Sequence, residues 1–449
     1  MAQLGELHHK EYCWQNKFSV KGSSVEKLLL KQIKEIHGEV QLPGSKSISN
    51  RALLISALGL GDIALSNLLE SNDVNHMFEA LETLGLRLER NLDKRTASIS
   101  GCGGPLPNGD YDLYLENAGT AVRSMTAAVC LSEGNYRIDG NARMRERPIK
   151  HLTDSLTLLG ADIVFELDQD CPPLQITANG LKGGLTKVDG SVSSQYLTAL
   201  LIAAPYAKEK VEIDIIGDLT SKPYIDMTIN LMQKFGVEVE NHNFQKFIIN
   251  SGQQYTNPKT FFIEGDASSA SYFLGAAAIS GYAKVTGCGK GSIQGEAGFA
   301  EVMEKMGAKV TYGENFIEVR STGKLKGIDI DMNTMTDTGM TLAVVAMFAE
   351  GKTAIRNIYN WRVKETERIQ AVATELRKAG AHVEEGHDYI IITPPEKIVS
   401  TEIETYDDHR MAMAFSLLSL GSNGITILDP RCTKKTFPTY FDVWDSVTS

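Results

Sequence analysis

At 449 residues, 42% hydrophobic and 22% charged, the chain has the composition of an ordinary globular protein, long enough for about three domains. Its net charge of -11 argues against a general nucleic-acid or acidic-membrane partner, and no apolar run approaches the roughly 20 residues that span a bilayer. The six cysteines, Cys13, Cys102, Cys130, Cys171, Cys288 and Cys432, show neither CxxC nor matched histidine spacing, so no zinc site and no disulfide framework is expected. Free thiols in a reducing cytoplasm follow as the expectation.

Residues 1–24 contain no arginine and no apolar stretch, and read as a mobile tail with His8-His9 a solvated pair, not as a signal or transit peptide. The first informative stretch is Leu42-Pro-Gly-Ser-Lys-Ser-Ile-Ser-Asn-Arg-Ala-Leu-Leu-Ile-Ser-Ala57. A Pro43-Gly44 turn leads into a helix of small apolar residues whose start carries Lys46, Ser47 and Arg51. Cations at a helix start oppose its partial positive charge and its free N–H groups, and an anionic ligand resolves the conflict. The order Gly44-Ser45-Lys46-Ser47 is not a Walker A sequence, so ATP is not implied.

Five further copies of this polar-start helix follow: Asn117–Val129, Ser193–Leu201, Ser268–Ala277, Asp337–Ala346 and Asp408–Phe415. Anchored on Ser47, Thr120, Ser194, Ser269, Thr338 and His409, they stand 73, 74, 75, 69 and 71 residues apart. In phase with them runs a second, amphipathic helix that stops at glycine and enters a strand, at Gly85, Gly160, Gly236, Gly307 and Gly380. Each unit is therefore a βαβαββ module of roughly 70 residues. The sixth lacks an internal second half, which Tyr440–Val447 and the N-terminal strand Ile36–Leu42 are expected to complete. Six modules favour two domains of three, 44–263 against 1–43 plus 264–449, with the chain crossing between them twice and the active site in the cleft.

The second copy ends in Arg143, Arg145 and Arg147, which alternate to one face if extended, in phase with Arg123. The third offers neutral donors at Ser193, Ser194 and Gln195. Ser268-Ser269 of the fourth brings no charge. Asp337 opens the fifth helix, either as a plain cap or as a base beside a hydroxyl, and Lys364, Glu365 and Arg368 lie at the head of the next, where Glu365 would be a proton donor beside a guanidinium. The sixth copy supplies His409, read as structural, Arg410 and then Lys435. Pooled, these residues describe a cleft lined by at least eight Lys or Arg that takes two small polyanions without a metal, and a carboxylate pair suited to group transfer by proton shuttling.

The motifs Leu42-Pro-Gly-Ser-Lys-Ser47 with Asn50-Arg51, Asn117-Ala-Gly-Thr120, Arg145-Glu-Arg-Pro148, Ser193-Ser-Gln195, Ser221-Lys-Pro-Tyr224, Asn360-Trp-Arg-Val-Lys-Glu365 and Asp408-His-Arg410 together resemble the 5-enolpyruvylshikimate-3-phosphate synthase family, from about Ile36 onward. The resemblance implies the α/β enolpyruvyl transferase fold, a two-domain inside-out α/β barrel of six βαβαββ repeats, three per domain. It implies transfer of the enolpyruvyl group of phosphoenolpyruvate to the 5-hydroxyl of shikimate 3-phosphate, with no cofactor and no metal. The charge and hydropathy already argue for no nucleic acid and no membrane, and a monomer is expected because two domains close the site. Carried over by position, Lys46, Ser47, Arg51, Ser193, Ser194, Gln195, Ser221, Asp337, Asn360 and Lys364 would bind shikimate 3-phosphate. Lys46, Gly119, Arg147, Gln195, Arg368, Arg410 and Lys435 would bind phosphoenolpyruvate; Asp337, Glu365 and Lys46 would be catalytic.

The chain departs from that family at Glu116-Asn-Ala-Gly-Thr-Ala-Val-Arg-Ser124, where the family usually reads Gly first and Pro last. Serine restores an N–H and frees φ, so lowered sensitivity to the competitive inhibitor glyphosate is expected. Two alternatives stay open. The related UDP-N-acetylglucosamine enolpyruvyl transferases usually place a Cys where this chain has Ala142, and a non-catalytic anion-binding homologue would not need Asp337, Glu365 and Lys46.

Overall fold

Six helices with almost no polar face explain why the chain folds with its helices inside. Ala267–Ile279 is buried along all but its last residue, Gly119–Val129 along its whole length, and Lys46–Leu58 over eleven of thirteen residues. A helix apolar all round has no solvent side and must be packed against other elements everywhere. The computed structural model describes residues 26–167 and 169–449. The tail, His8-His9 and Cys13 lie outside the described residues.

The buried helices sit among parallel strands, and in the first five units a second, amphipathic helix leads on to an antiparallel pair. In the second unit Gly109–Tyr114 runs parallel to Glu133–Asp139, which pairs antiparallel with Leu174–Asn179 and through it with Asp162–Phe165. The third and fifth units repeat this order. The amphipathic helices stop as expected at Gly85, Gly160, Gly236, Gly307 and Gly380, all at φ between +85° and +115°, a left-handed turn that a side chain would strain. The sheets remain separate and carry the exposed outer faces; no closed strand barrel forms among the described residues.

The apolar side chains gather into two cores. One runs from Ile48 to Ile263; the other joins Leu30–Leu42 to Ala267–Val447. In the first, Gly119–Val129 packs on both Lys46–Leu58 and Ser194–Ala203; in the second, Gly339–Val345 packs on Ala267–Ile279 and His409–Phe415. The two chain crossings lie side by side, with Ser45 N–H donating to the Glu264 carbonyl and Asp266 N–H to the Pro43 carbonyl, both at 2.8 Å.

One expectation is corrected. Ile36–Gln41 is the first strand of the fourth unit, parallel to Gly281–Thr286, and the sixth unit's sheet is completed by Lys27–Leu30, antiparallel to Ile425–Leu428. The strand does touch Tyr440–Val447, because Gly38 faces Val447, but its ladder partner lies elsewhere. The first unit compensates in the same way, taking Thr260–Phe262 from beyond the third as its parallel strand. Each half thus closes its own first sheet with a strand taken from beside a crossing. Lys27-Leu-Leu-Leu30 is too short and too uniform to show a strand period, which is why the sequence did not reveal it.

Candidate active site

The starts of the buried helices are capped in different ways. Hydroxyls cap two of them: Ser45 accepts from Ile48 N–H at 3.4 Å and Ser193 from Gln195 N–H at 3.3 Å. Carboxylates cap two more, Asp266 for Ser269 at 2.8 Å and Asp408 for Arg410 at 2.9 Å. Ala118 and Thr338 give no side-chain cap. Asp337 is therefore no cap: it sits in a 3-10 turn with its carboxylate turned towards cations.

A cleft lies between the two cores and is lined by Lys46, Ser47, Arg51, Arg147, Ser193, Ser194, Gln195, Ser221, Asp337, Asn360, Lys364 and Glu365, all of them anticipated. The other four sit directly behind the wall. Gly119 faces Arg147 so closely that a Cβ would come 2.6 Å from the guanidinium, so any side chain there would push Arg147 aside. Lys435 Nζ donates to the Asn117 carbonyl at 2.8 Å and lies 3.1 Å from Asp73. Arg368 and Arg410 back Asp337.

The cations are not left to repel each other, because three buried carboxylates and the partly buried Asp337 interleave with them. Arg368, 1% exposed, donates to Asp408 at 2.7 Å, Glu365 at 2.8 Å and Asp337 at 3.1 Å. Asp337 also receives Arg410 at 2.8 Å and faces Lys364 at 3.5 Å. Asp73 bridges Lys46 and Lys435, each at 3.1 Å. Burial raises the pKa of both the Asp337 and Glu365 carboxyls, yet both end well below the ordinary range. Arg410, Lys364 and Arg368 hold Asp337 down, and Arg368, Arg147, Lys435 and Lys46 do the same for Glu365. Burial keeps His409 well below its usual value, and so neutral, helped by Arg410 and Lys46. It also lowers Arg51 and Arg147 to about 10.

Three buried guanidinium nitrogens, Nε of Arg123, Arg147 and Arg410, have no partner among the described residues, nor has the Asn360 carbonyl oxygen. Orphaned buried donors are costly, so this wall is built to donate to something. The residues that carried no site role in the sequence reading are Thr120, Arg123, Val192, Tyr224 and Val363 in the lining and Asp73 and Asp408 behind it. Arg123 donates to Gln195 Oε1, and Gln195 Nε2 to Thr120 Oγ1 at 3.3 Å, so these three orient one another. Phase with Lys46 and Arg51 was the available signal for Arg123; Asp73, in the amphipathic helix Asn72–Thr83, had none.

The arginine stretch is also corrected. Met144–Glu146 forms a 3-10 turn, so the three arginines diverge. Arg145 points outward to Asp139 at 2.6 Å, Arg147 is buried against Asn117 at 2.8 Å, and Arg143 crosses the cleft to donate to the carbonyls of Lys364 at 2.9 Å and Glu365 at 3.1 Å. Charged hydrogen bonds contribute roughly 1.5 to 3 kcal/mol, and partial exposure of Arg143 reduces that. Arg143→Ala is therefore expected to lower catalytic efficiency by about tenfold. Initial rates check this, and an unchanged efficiency would remove the clasp from the account.

Among the described residues no group of three or more His, Cys, Asp or Glu could hold a metal ion, and no helix is long and apolar enough to cross a membrane. Cys102, Cys130, Cys171, Cys288 and Cys432 are unpaired.

The family model for EPSP synthase (3-phosphoshikimate 1-carboxyvinyltransferase) matches residues 30–444. A 3-phosphoshikimate 1-carboxyvinyltransferase from Pasteurella multocida is 56% identical over 426 residues, 93% of this chain and 97% of the relative. One from Vibrio vulnificus is 54% identical over 420 residues, covering 93% and 98%. A solved EPSP synthase from Acinetobacter baumannii superposes with a TM-score of 0.80 at 25% identity, covering 95% of this chain and 98% of that one.

Proposed function

The chain belongs to the EPSP synthase family of 3-phosphoshikimate 1-carboxyvinyltransferases, and from that premise we propose how its own residues carry out the transfer. It is a transferase of the shikimate pathway. Its substrates are phosphoenolpyruvate and shikimate 3-phosphate, and the observation that supports this most is the meeting of cations from both halves around Asp337 and Glu365 in one cleft. In this reading 44–263 and 1–43 plus 264–449 are two domains that close on the substrates as a cytoplasmic monomer. The two separate cores support that division.

Shikimate 3-phosphate takes Ser47, Arg51, Ser193, Ser194, Gln195, Ser221, Asn360 and Lys364; phosphoenolpyruvate takes Arg147, Arg368, Arg410, Lys435 and the Gly119 turn, with Lys46 between the two. The acceptor's 5-hydroxyl loses its proton to Asp337 and its oxygen bonds to C2 of phosphoenolpyruvate, while Glu365 gives a proton to C3. The tetrahedral adduct then breaks its C2–O bond to phosphate, and loss of one methyl proton restores the double bond.

A carboxylate with a strongly lowered pKa is a poor base and a poor reservoir of protons. The substrates' own anionic groups reverse this. By occupying Arg368, Arg410, Lys364, Arg147 and Lys46 they withdraw the charges that hold Asp337 and Glu365 ionised, so both carboxyls rise towards useful values only when both substrates are present. Chemistry is thereby coupled to closure.

The test is phosphate release from phosphoenolpyruvate with shikimate 3-phosphate, with a UDP-N-acetylglucosamine acceptor, and with neither. Release with the first alone is expected; release with the UDP-sugar alone, or none, would overturn the reading. Ser124, buried on the helix behind Gly119, supports a second expectation. Ser124→Pro should lower the inhibition constant of glyphosate measured against phosphoenolpyruvate, and an unchanged constant would rule it out.

A further inference from the structure

Glu296 is a buried carboxyl that the transfer chemistry does not use. It lies on the 3-10 turn Gly295–Gly298, is 2% exposed, and its Oε1 has no partner among the described residues. Among the described residues no cation forms a salt bridge with it. The turn is pressed onto the opposite half: a Cβ on Gly295 would come 2.4 Å from Pro223 Cβ, which sets Glu296 against the next residue, Tyr224. Tyr224 lines the cleft and donates its phenolic hydrogen to Asp337 Oδ2 at 3.3 Å. Its ring lies 6.0 Å from the Arg51 guanidinium.

The phenol has one proton and two carboxyl neighbours. If both were ionised, Tyr224 could donate to only one, and the other would face an oxygen lone pair. Asp337 is held ionised by Arg410, Lys364 and Arg368, so it claims the proton. Burial is the main force pushing Glu296 up, to about 7; Tyr224 pulls the other way, while Asp337 and Asp266 add to the rise. The Arg51 guanidinium is within reach of its field.

We propose that Glu296 is a positioning residue for the transfer: as a neutral acid it donates to the Tyr224 oxygen, turns the single phenolic proton onto Asp337, and so fixes the carboxylate that receives the acceptor's hydroxyl proton. This rests on Asp337 acting as the base. When Glu296 ionises, it competes for that proton and adds a second negative charge beside Asp337, so turnover declines as pH rises through its ionisation.

The experiment measures kcat and KM across the neutral pH range for the wild type and for Glu296→Gln, Glu296→Ala and Tyr224→Phe. Glutamine keeps a donor but cannot ionise, so Glu296→Gln is expected to stay within about threefold of the wild-type kcat and to lose the alkaline decline. Glu296→Ala is expected to lower kcat by about tenfold with KM for shikimate 3-phosphate nearly unchanged. Added to Tyr224→Phe, Glu296→Gln should have no further effect. A Gln variant as impaired as the Ala variant, an alkaline decline that persists in it, or an effect that survives the loss of the phenol would each overturn the proposal. Should the Ala variant fail to fold, the pH profile of the Gln variant decides alone. Asp337→Asn assayed alongside separates the two readings, because an active Asp337→Asn removes the base, whereas an inactive one with an unaltered Gln profile removes only the role of Glu296.

Discussion

Replacing Glu365 by glutamine is expected to cut turnover by roughly 10²–10⁴ while shikimate 3-phosphate still binds. Glutamine preserves the shape of a side chain that is 9% exposed and keeps an oxygen for the Arg368 hydrogen bond. What it removes is the proton that must reach C3 of the donor. Binding persists because most of the groups proposed for the acceptor, Ser47, Arg51, Ser193 to Gln195 and Ser221, lie on the other half of the cleft, and the substitution leaves Asn360 and Lys364 in place. Isothermal titration with shikimate 3-phosphate, beside a phosphate-release assay, separates the two effects. A variant that turns over normally would take Glu365 out of the chemistry, and one that loses acceptor binding would make it a structural residue.

The largest effect on stability is expected from Arg368→Met, at about 3–5 kcal/mol. The guanidinium is the shared partner of the buried Asp408 and Glu365 and the partly buried Asp337, and methionine fills its volume without replacing its charge. Removing one partner of a buried network strands the others, which costs more than the network contributes to stability when intact. Its acid behaviour carries a sign that tests the cause. Asp337 and Glu365 have folded pKa values below their unfolded ones, so in the wild type their pairing stabilises above the unfolded carboxyl range and is lost as pH falls through the folded values. In the variant those carboxylates are poorly compensated, so mild acid relieves them and the stability gap narrows as pH falls. Denaturant midpoints at neutral and mildly acidic pH measure this, and a gap that widens in acid would contradict it.

How far the sequence could be read depended on the length scale of each signal. A helix start recurring about every 70 residues survives any local irregularity, and it exposed the sixfold plan, the inward helices and most of the cleft lining. Strand ownership did not survive, because Ile36–Gln41 and Thr260–Phe262 pair with strands on far sides of the chain, and no local pattern says which. The alternation of Arg143, Arg145 and Arg147 suggested a strand face, but Asp139 draws Arg145 outward and the segment tightens into a 3-10 turn. Asp73 and Glu296 were invisible for a different reason. Each sits where a carboxylate is common, and only packing reveals that one is caught between Lys46 and Lys435 and the other lies against Tyr224 with no salt bridge among the described residues.

The central claim, that Glu365 adds a proton to C3 of the donor before phosphate leaves, has a direct readout in the reaction run in deuterium oxide. A methylene that becomes a freely rotating CH2D group and then loses one of its three hydrogens keeps solvent deuterium in most turnovers. The account predicts deuterium in the vinyl group of the product from the native enzyme, and none from Glu365→Gln in the same time. Full conversion to a product without vinyl deuterium would contradict it.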